Sequence, residues 1–195
     1  LLQDFSPSEV LDALHDLPSS SAPGLDGISP AFLSHAHFTH PAQRDIHLLL
    51  PFLQTLFTDS LHVGMPSAWG TFSWAPLPKK SSEDPLKAYR LLSLTDVMYR
   101  AMMKILNSRL QTWLLSQGKL PAHHYGFYQG RNTTMPAFLL WDQIQHNTFL
   151  GDPLYLAFVD LTAAYDSVDR TKLWQVLLAL GLPGPLVRCL QGLYQ

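Results

Sequence analysis

The apolar positions Val10, Leu11, Leu14 and Leu17 recur at the spacing that puts them on one face of an α-helix. Just ahead of them, Ser6-Pro7-Ser8-Glu9 offers a capping hydroxyl, a proline at the first helical position and a carboxylate at the third. This is a capping box, with Phe5 and Val10 as its hydrophobic staple. The helix should stop before Pro18, where a Ser/Pro/Gly loop opens and runs to Gly27. Pro30-Ala31-Phe32-Leu33 reads as a short helix. From residue 42 to 61, the spacing of Ile46, Leu49, Leu50, Leu53, Phe57 and Leu61 predicts a longer apolar helix, kinked or broken at Pro51.

The period then changes. Residues 71–77 read as a strand and 89–92 as its return, joined by a polar tip, so a hairpin is expected. Ser93 and Asp96 can cap the next helix, whose apolar side runs through Val97, Ala101 and Ile105 to Trp113 and Leu114 before Gly118. Residues 126–133 form a loop and lead into a helix around 136–146. The apolar run 154–159 has the pattern of a central strand covered on both faces, and it ends on Asp160. A last helix spans about 169–180, with Gly181 and Pro183 as stop signals. The fold class is α+β, helix-rich with a few short strands.

Composition narrows this picture. The 195 residues carry 13 Lys+Arg against 15 Asp+Glu, and charged residues make up 14%. The chain is long enough for a core, its hydrophobic share excludes intrinsic disorder, and any nucleic-acid contact must be local rather than a matter of bulk charge. The single cysteine, Cys189, excludes an internal disulfide and a Cys-rich zinc module and suits a reducing compartment. No run is apolar enough to span a membrane, and no signal-peptide pattern is present. The Asn132-Thr133-Thr134 sequon is therefore read as accidental. The start at Leu1-Leu2 and the stop at Gln195 inside a helix-like pattern look like cut ends.

The densest chemistry lies in Phe158-Val159-Asp160-Leu161-Thr162-Ala163-Ala164-Tyr165-Asp166-Ser167-Val168-Asp169. A carboxylate at the end of a buried strand can be held rigidly at a solvent boundary, which suits a Mg²⁺ ligand; the Leu161 carbonyl can join it. From spacing alone the plainer alternative is that Asp160 and Asp166 cap the following helix.

This segment resembles the first catalytic palm motif of reverse transcriptases, in the form carried by non-LTR (LINE-type) retrotransposons. Four further blocks are similar to that family in its order: Ala22-Pro23-Gly24-Leu25-Asp26-Gly27-Ile28, Pro76-Leu77-Pro78-Lys79-Lys80, Ala88-Tyr89-Arg90-Leu91-Leu92-Ser93-Leu94 and Tyr125-Gly126-Phe127-Tyr128-Gln129-Gly130-Arg131-Asn132-Thr133. The resemblance implies a right-hand polymerase: an N-terminal helical extension over 1–62, fingers over 63–149, and from 150 to 195 the start of a palm. It implies RNA-templated DNA synthesis with RNA template, DNA primer and deoxynucleoside triphosphates as partners, two Mg²⁺ ions, and an intracellular, nuclear setting. Asp160 and the Leu161 carbonyl would hold metal. Lys79, Lys80 and Arg90 would meet the triphosphate, Tyr165 would crowd a ribose 2′-hydroxyl as a steric gate, and Asp166 would hold the turn beside the nucleotide. Gly126, Gly130 and Arg131 would approach the template or the nucleotide; read without the family, they are an ordinary turn, and Lys87 is a solvated tip residue.

The departures carry their own expectation. Ala163 stands where the family often has Lys, Leu91 replaces a Pro, Ala88 an Asn, Tyr128 a basic residue and His124 a glutamine, and no Asp-Asp pair occurs in these residues. Two-metal chemistry needs carboxylates from both palm segments, so this stretch alone is expected to be inactive and, with uncovered apolar surface, poorly soluble. The alternative function is a catalytically dead remnant that binds nucleic acid or serves structurally; an unrelated Mg²⁺ phosphohydrolase using Asp160 and Asp166 leaves the four upstream blocks unexplained. His35, His37 and His40 lack cysteine or acidic partners and read as a surface insertion rather than a zinc site. Trp69, Trp74 and Trp113 are assigned to packing, with base stacking as the alternative.

Overall fold

A computed structural model describes residues 1–40, 43–78, 89–121, 123–128 and 130–194; for 38–40 and 43–46 the description is of the backbone. The chain divides into two bodies, one of residues 1–110 with 176–195 and one of residues 111–175.

In the first body, α1 (Pro7–His15) starts on the expected capping box: Glu9 N–H donates to Ser6 Oγ (3.2 Å) and Ser6 N–H to Glu9 Oε2 (2.9 Å). Phe5 and Val10 are fully buried at that start. Helix α2 (Pro30–Ser34) is capped by Ser29, whose Oγ accepts from Phe32 N–H at 3.2 Å. Helix α3 (Leu50–His62) begins where a kink was expected, because Pro51 in a first turn has no hydrogen bond to lose. The segment ahead of it is not helical. Residues Gln43–His47 form β2, antiparallel to β1 (His37–His40), with His37 opposite His47 and Phe38 opposite Ile46. Of the apolar positions that suggested helix, Ile46 alone lies in that segment, so no apolar face existed there to hold one.

The expected hairpin is present. Strands β3 (Ser73–Pro78) and β4 (Tyr89–Leu94) pair antiparallel, from Ser73 opposite Leu94 to Pro78 opposite Tyr89. Its tip, with Lys79, Lys80, Lys87 and Ala88, lies outside the described residues. Strand β4 runs two residues past the expected end, which puts Ser93 opposite Trp74 and removes it as a cap for α4 (Val97–Ser116).

The core of this body joins Phe5 and Leu14, Leu33, Leu53 and Phe57 of α3, Trp69, and Val97 and Met102 of α4. Helix α7 (Gly184–Gln191) adds Leu186, Val187 and Cys189. Phe5, Phe57, Trp69 and Tyr99 meet edge to face in sequence, with centroids 6.2, 6.4 and 6.0 Å apart. Around this core α4 uses its cations as ties. Arg100 donates to Ser21 Oγ and Ala22 O, and Lys104 reaches the Asp16 carbonyl and carboxylate, each at 3.1 Å. Arg109 grips Glu9 with two bonds (2.6 and 2.8 Å), holds the carbonyls of Gln3 and Asp4, and lies 4.4 Å from the centre of the Phe5 ring. Gly24 runs against the start of α4 so closely that an added β-carbon would fall 2.6 Å from Asp96 Cα and 2.7 Å from its nitrogen. Only glycine fits there.

The second body contains α5 (Thr134–Leu150) and the first turns of α6 (Arg170–Ala179). Among its described residues none is buried. The run 154–159, expected as a covered central strand, has no regular secondary structure, and Tyr155, Phe158 and Val159 are 90%, 84% and 87% exposed. A strand exists only where a neighbour takes up its backbone hydrogen bonds, and among the described residues no segment pairs with this one. The apolar pattern recorded suitability for a sheet; the partner is what the pattern does not contain. Among the described residues no helix is long and apolar enough to cross a membrane.

Candidate nucleotide and metal site

Asp160 and Leu161 follow the 154–159 run and are exposed, Leu161 at 71%. The chain then coils through consecutive turns: Ser167 N–H donates to Ala163 O (2.9 Å) and Val168 N–H to Tyr165 O (3.3 Å). These turns require Ala163 to take a left-handed backbone, φ +49°, a conformation that costs a residue with a β-carbon of order 1 kcal/mol. The cap of α6 is Asp169, whose Oδ1 accepts from Lys172 N–H at 3.2 Å and whose Oδ2 lies 3.7 Å from Lys172 Nζ. The side-chain cap at the start of α6 is thus Asp169 and not Asp160 or Asp166.

The 123–133 loop belongs to the same body and is organised by Arg131. Its guanidinium donates to His124 O (2.6 Å) and sits 4.7 and 5.8 Å from the ring centres of Tyr128 and Tyr125. Gly130 has φ +78°, whereas Gly126 is not left-handed, and a β-carbon there would meet only His124 Nε2 at 3.9 Å. The left-handed position beside it falls on Phe127, φ +62°, whose carbonyl accepts from Gln111 Nε2 (2.8 Å). The Phe127 ring stands edge to face with Tyr165, 6.3 Å between centres and 77° between planes. The loop and the aspartate segment therefore meet through that ring pair. Sequence spacing does not reveal this meeting, because the two rings are 38 positions apart on segments with no shared periodicity.

Arg90 lies on β4 opposite Leu77, exposed and in the other body. Lys79 and Lys80 lie outside the described residues. Trp69 is core, as packing requires, while Trp74 is 56% exposed. In the histidine segment, His35 Nδ1 donates to Ala31 O and His37 Nε2 to Ser34 O, both at 2.9 Å. The His40 side chain lies outside the described residues.

One carboxylate, on Asp160, and one carbonyl, on Leu161, are the oxygen donors that a hard divalent cation takes. They suit such an ion in kind but not in number. Among the described residues no group of three or more His, Cys, Asp or Glu comes together to complete a site.

With five ordered blocks, an antiparallel hairpin and an aspartate segment in place, comparison with known proteins gives the class. Residues 77–194, more than half of the chain, match the family model described as reverse transcriptase (RNA-dependent DNA polymerase), and the chain belongs to that family. Its relatives are transposon proteins. The chain is 25% identical over 82% of its length to the probable RNA-directed DNA polymerase from transposon BS of Drosophila melanogaster, covering 17% of that protein. It is 26% identical over 93% of its length to the corresponding X-element protein of the same fly, covering 19%. It is 27% identical over 95% of its length to the uncharacterized 149 kDa protein of transposon TX1 from Xenopus laevis, covering 14%. The LINE-type retrotransposon likeness read from the motifs holds. The chain spans less than a fifth of the length of these curated relatives.

Proposed function

We propose that this chain supplies the fingers (63–149) and the first palm segment (150–195), behind a helical extension (1–62), of an RNA-directed DNA polymerase that adds deoxynucleotides to a primer 3′-hydroxyl. The observation that carries the reading is the division of labour in the aspartate segment: Asp169 caps α6, leaving Asp160 with no helix-capping task at the position the family uses for metal. Asp160 and the Leu161 carbonyl contribute ligands for Mg²⁺. Two such ions, completed by carboxylates beyond these residues, would lower the pKa of the primer hydroxyl and stabilise the leaving pyrophosphate. Tyr165 stands at the sugar as a steric gate, and Asp166 holds the turn that presents it. Lys79, Lys80 and Arg90 on the hairpin neutralise the triphosphate, Arg90 through its planar fork. Gly126, Gly130 and Arg131 bring their loop to the template, with the Arg131 guanidinium 5.8 and 4.7 Å from the ring centres of Tyr125 and Tyr128.

Primer extension on an RNA template by the full-length protein tests the reading. Asp160→Ala should lower extension by about a hundredfold or more while leaving template binding intact. Equal extension by the folded variant and the parent overturns it. Template binding without extension by the parent itself supports the second reading, a nucleic-acid-binding remnant, which the low charge (13 Lys+Arg against 15 Asp+Glu) and Ala163 at a position where the family often has Lys favour.

A further inference from the structure

Phe127 and Ala163 are the two residues other than glycine with a left-handed backbone among the described residues, at φ +62° and +49°. They lie in different segments, and both border one contact: Phe127 supplies one ring of it, and Ala163 opens the turn that carries the other, Tyr165. Backbone strain persists where surrounding structure over-determines it. At Phe127 burial is not the compensation, since the side chain is 83% exposed. Nor is a left-handed corner at this turn confined to Phe127 by sequence, since the adjoining Gly126 adopts that conformation freely and does not take it. What the strained corner achieves is to aim the Phe127 ring at Tyr165, with the Phe127 carbonyl anchored by Gln111. Tyr165 is itself 76% exposed, so its ring has little packing to fix its rotamer other than this edge-to-face partner.

From this geometry we infer that Phe127 is a positioning residue for Tyr165: it holds the gate ring in one rotamer and thereby sets discrimination between deoxyribo- and ribonucleotides. The inference rests on the reading of Tyr165 given under Proposed function. An exposed aromatic that swings freely excludes a 2′-hydroxyl only part of the time, whereas one braced at its edge does so continuously. A contact of this type shifts a rotamer equilibrium by about two- to tenfold, and the specificity change should have the same size.

The test combines a contact readout with a kinetic one, in the full-length protein. A fluorotyrosine at position 165 should show a shifted ¹⁹F resonance when Phe127→Leu removes the ring, and a nearly unshifted one with Phe127→Tyr, which keeps it. In primer extension Phe127→Leu should raise KM for the deoxynucleotide and raise the ribo-to-deoxy ratio of kcat/KM by about two- to tenfold, Phe127→Tyr should restore both, and Phe127→Leu should add nothing in a Tyr165→Val background. If Phe127→Leu does not fold, Phe127→Gly, which suits the left-handed backbone and deletes the ring, takes its place. An unmoved resonance, or an unchanged ratio in a protein whose extension still depends on Asp160, overturns the inference alone. Extension indifferent to Asp160→Ala overturns the reading of the site on which it rests.

Discussion

The two bodies differ in whether they bury aromatic side chains: among the described residues the first buries three and exposes others such as Phe32 and Trp74, and the second buries none. In residues 1–110 with 176–195, Phe5, Phe57 and Trp69 are buried and locked edge to face. In residues 111–175, Phe127, Phe138, Trp141, Tyr155, Phe158 and Tyr165 are all more than half exposed. The first body is held by burial, and three cations of α4 are spent on carbonyls and carboxylates of its own chain: Arg100 on the 21–22 loop, Lys104 on the end of α1, Arg109 on the N-terminal segment. The second body carries the aspartate segment and the glycine-arginine loop, and it is held by local devices: an Asp169 cap, the Arg131 bonds and rings, a pair of exposed rings. Each such device contributes about 1 kcal/mol. The aspartate segment and the glycine-arginine loop thus lie in a body with no buried residue among those described, apart from the ring cluster that holds the first body.

The sharpest way to break that comparison is to hollow the buried ring cluster. Phe57 is 0% exposed between Phe5 and Trp69. Phe57→Ala should lower unfolding free energy by about 3–5 kcal/mol through lost transfer energy and the cavity left behind. Urea denaturation followed by tryptophan fluorescence measures it, with Trp69 reporting from beside the cavity. A loss below about 1 kcal/mol, the size of an ordinary surface change, would mean that burial does not hold the first body.

The same contrast governs what could be read in advance. Elements specified by contiguous residues were legible: the Ser6/Glu9 capping box, the helix at Pro30, the β3–β4 hairpin, and the stop signals at Gly118 and Gly181. The motif order identified the family because each block is itself local. Two kinds of feature were not legible. Residues 43–47 pair with 37–40 and Pro51 starts α3 rather than bending it, so the apolar spacing spanned a boundary it could not register. The 154–159 run failed as a strand because strands depend on a partner elsewhere in the chain. For the site, the residue types were readable but not their division of labour. That Asp169 takes the cap follows from turn geometry, and the meeting of Phe127 with Tyr165 and of Gly24 with Asp96 from tertiary packing between distant segments.

A smaller effect sharpens the comparison from the polar side. Hydrogen bonding from Arg109 is the main reason the Glu9 carboxyl is held down from 4.5 to about 2; burial works against it, and the Ser6 amide and hydroxyl add to the lowering. A depressed acid favours the folded state above its unfolded pKa, and that contribution is lost as pH falls from about 4.5 through about 2. The carboxylate is 32% exposed, so solvent screening reduces the contribution to about 1–2 kcal/mol. Denaturation at pH 7 and pH 3 should show the parent losing more stability than Glu9→Gln over that interval. Equal losses would detach Glu9 from the acid response of the first body.

The smallest expected effect tests the second body directly. Helix α5 has apolar side chains around its circumference and none buried, with Phe138 55% and Trp141 57% exposed and their rings tilted 6.2 Å apart. Replacing Phe138 with Ala removes little burial and introduces the residue of highest helix propensity, so the two contributions nearly cancel. Stability should change by less than about 0.5 kcal/mol, against the several expected at Phe57. Thermal unfolding followed by circular dichroism on both variants gives the ratio. If Phe138→Ala costs as much as Phe57→Ala, the α5 face is covered by packing in solution, and the contrast between a buried scaffold and an exposed site segment collapses.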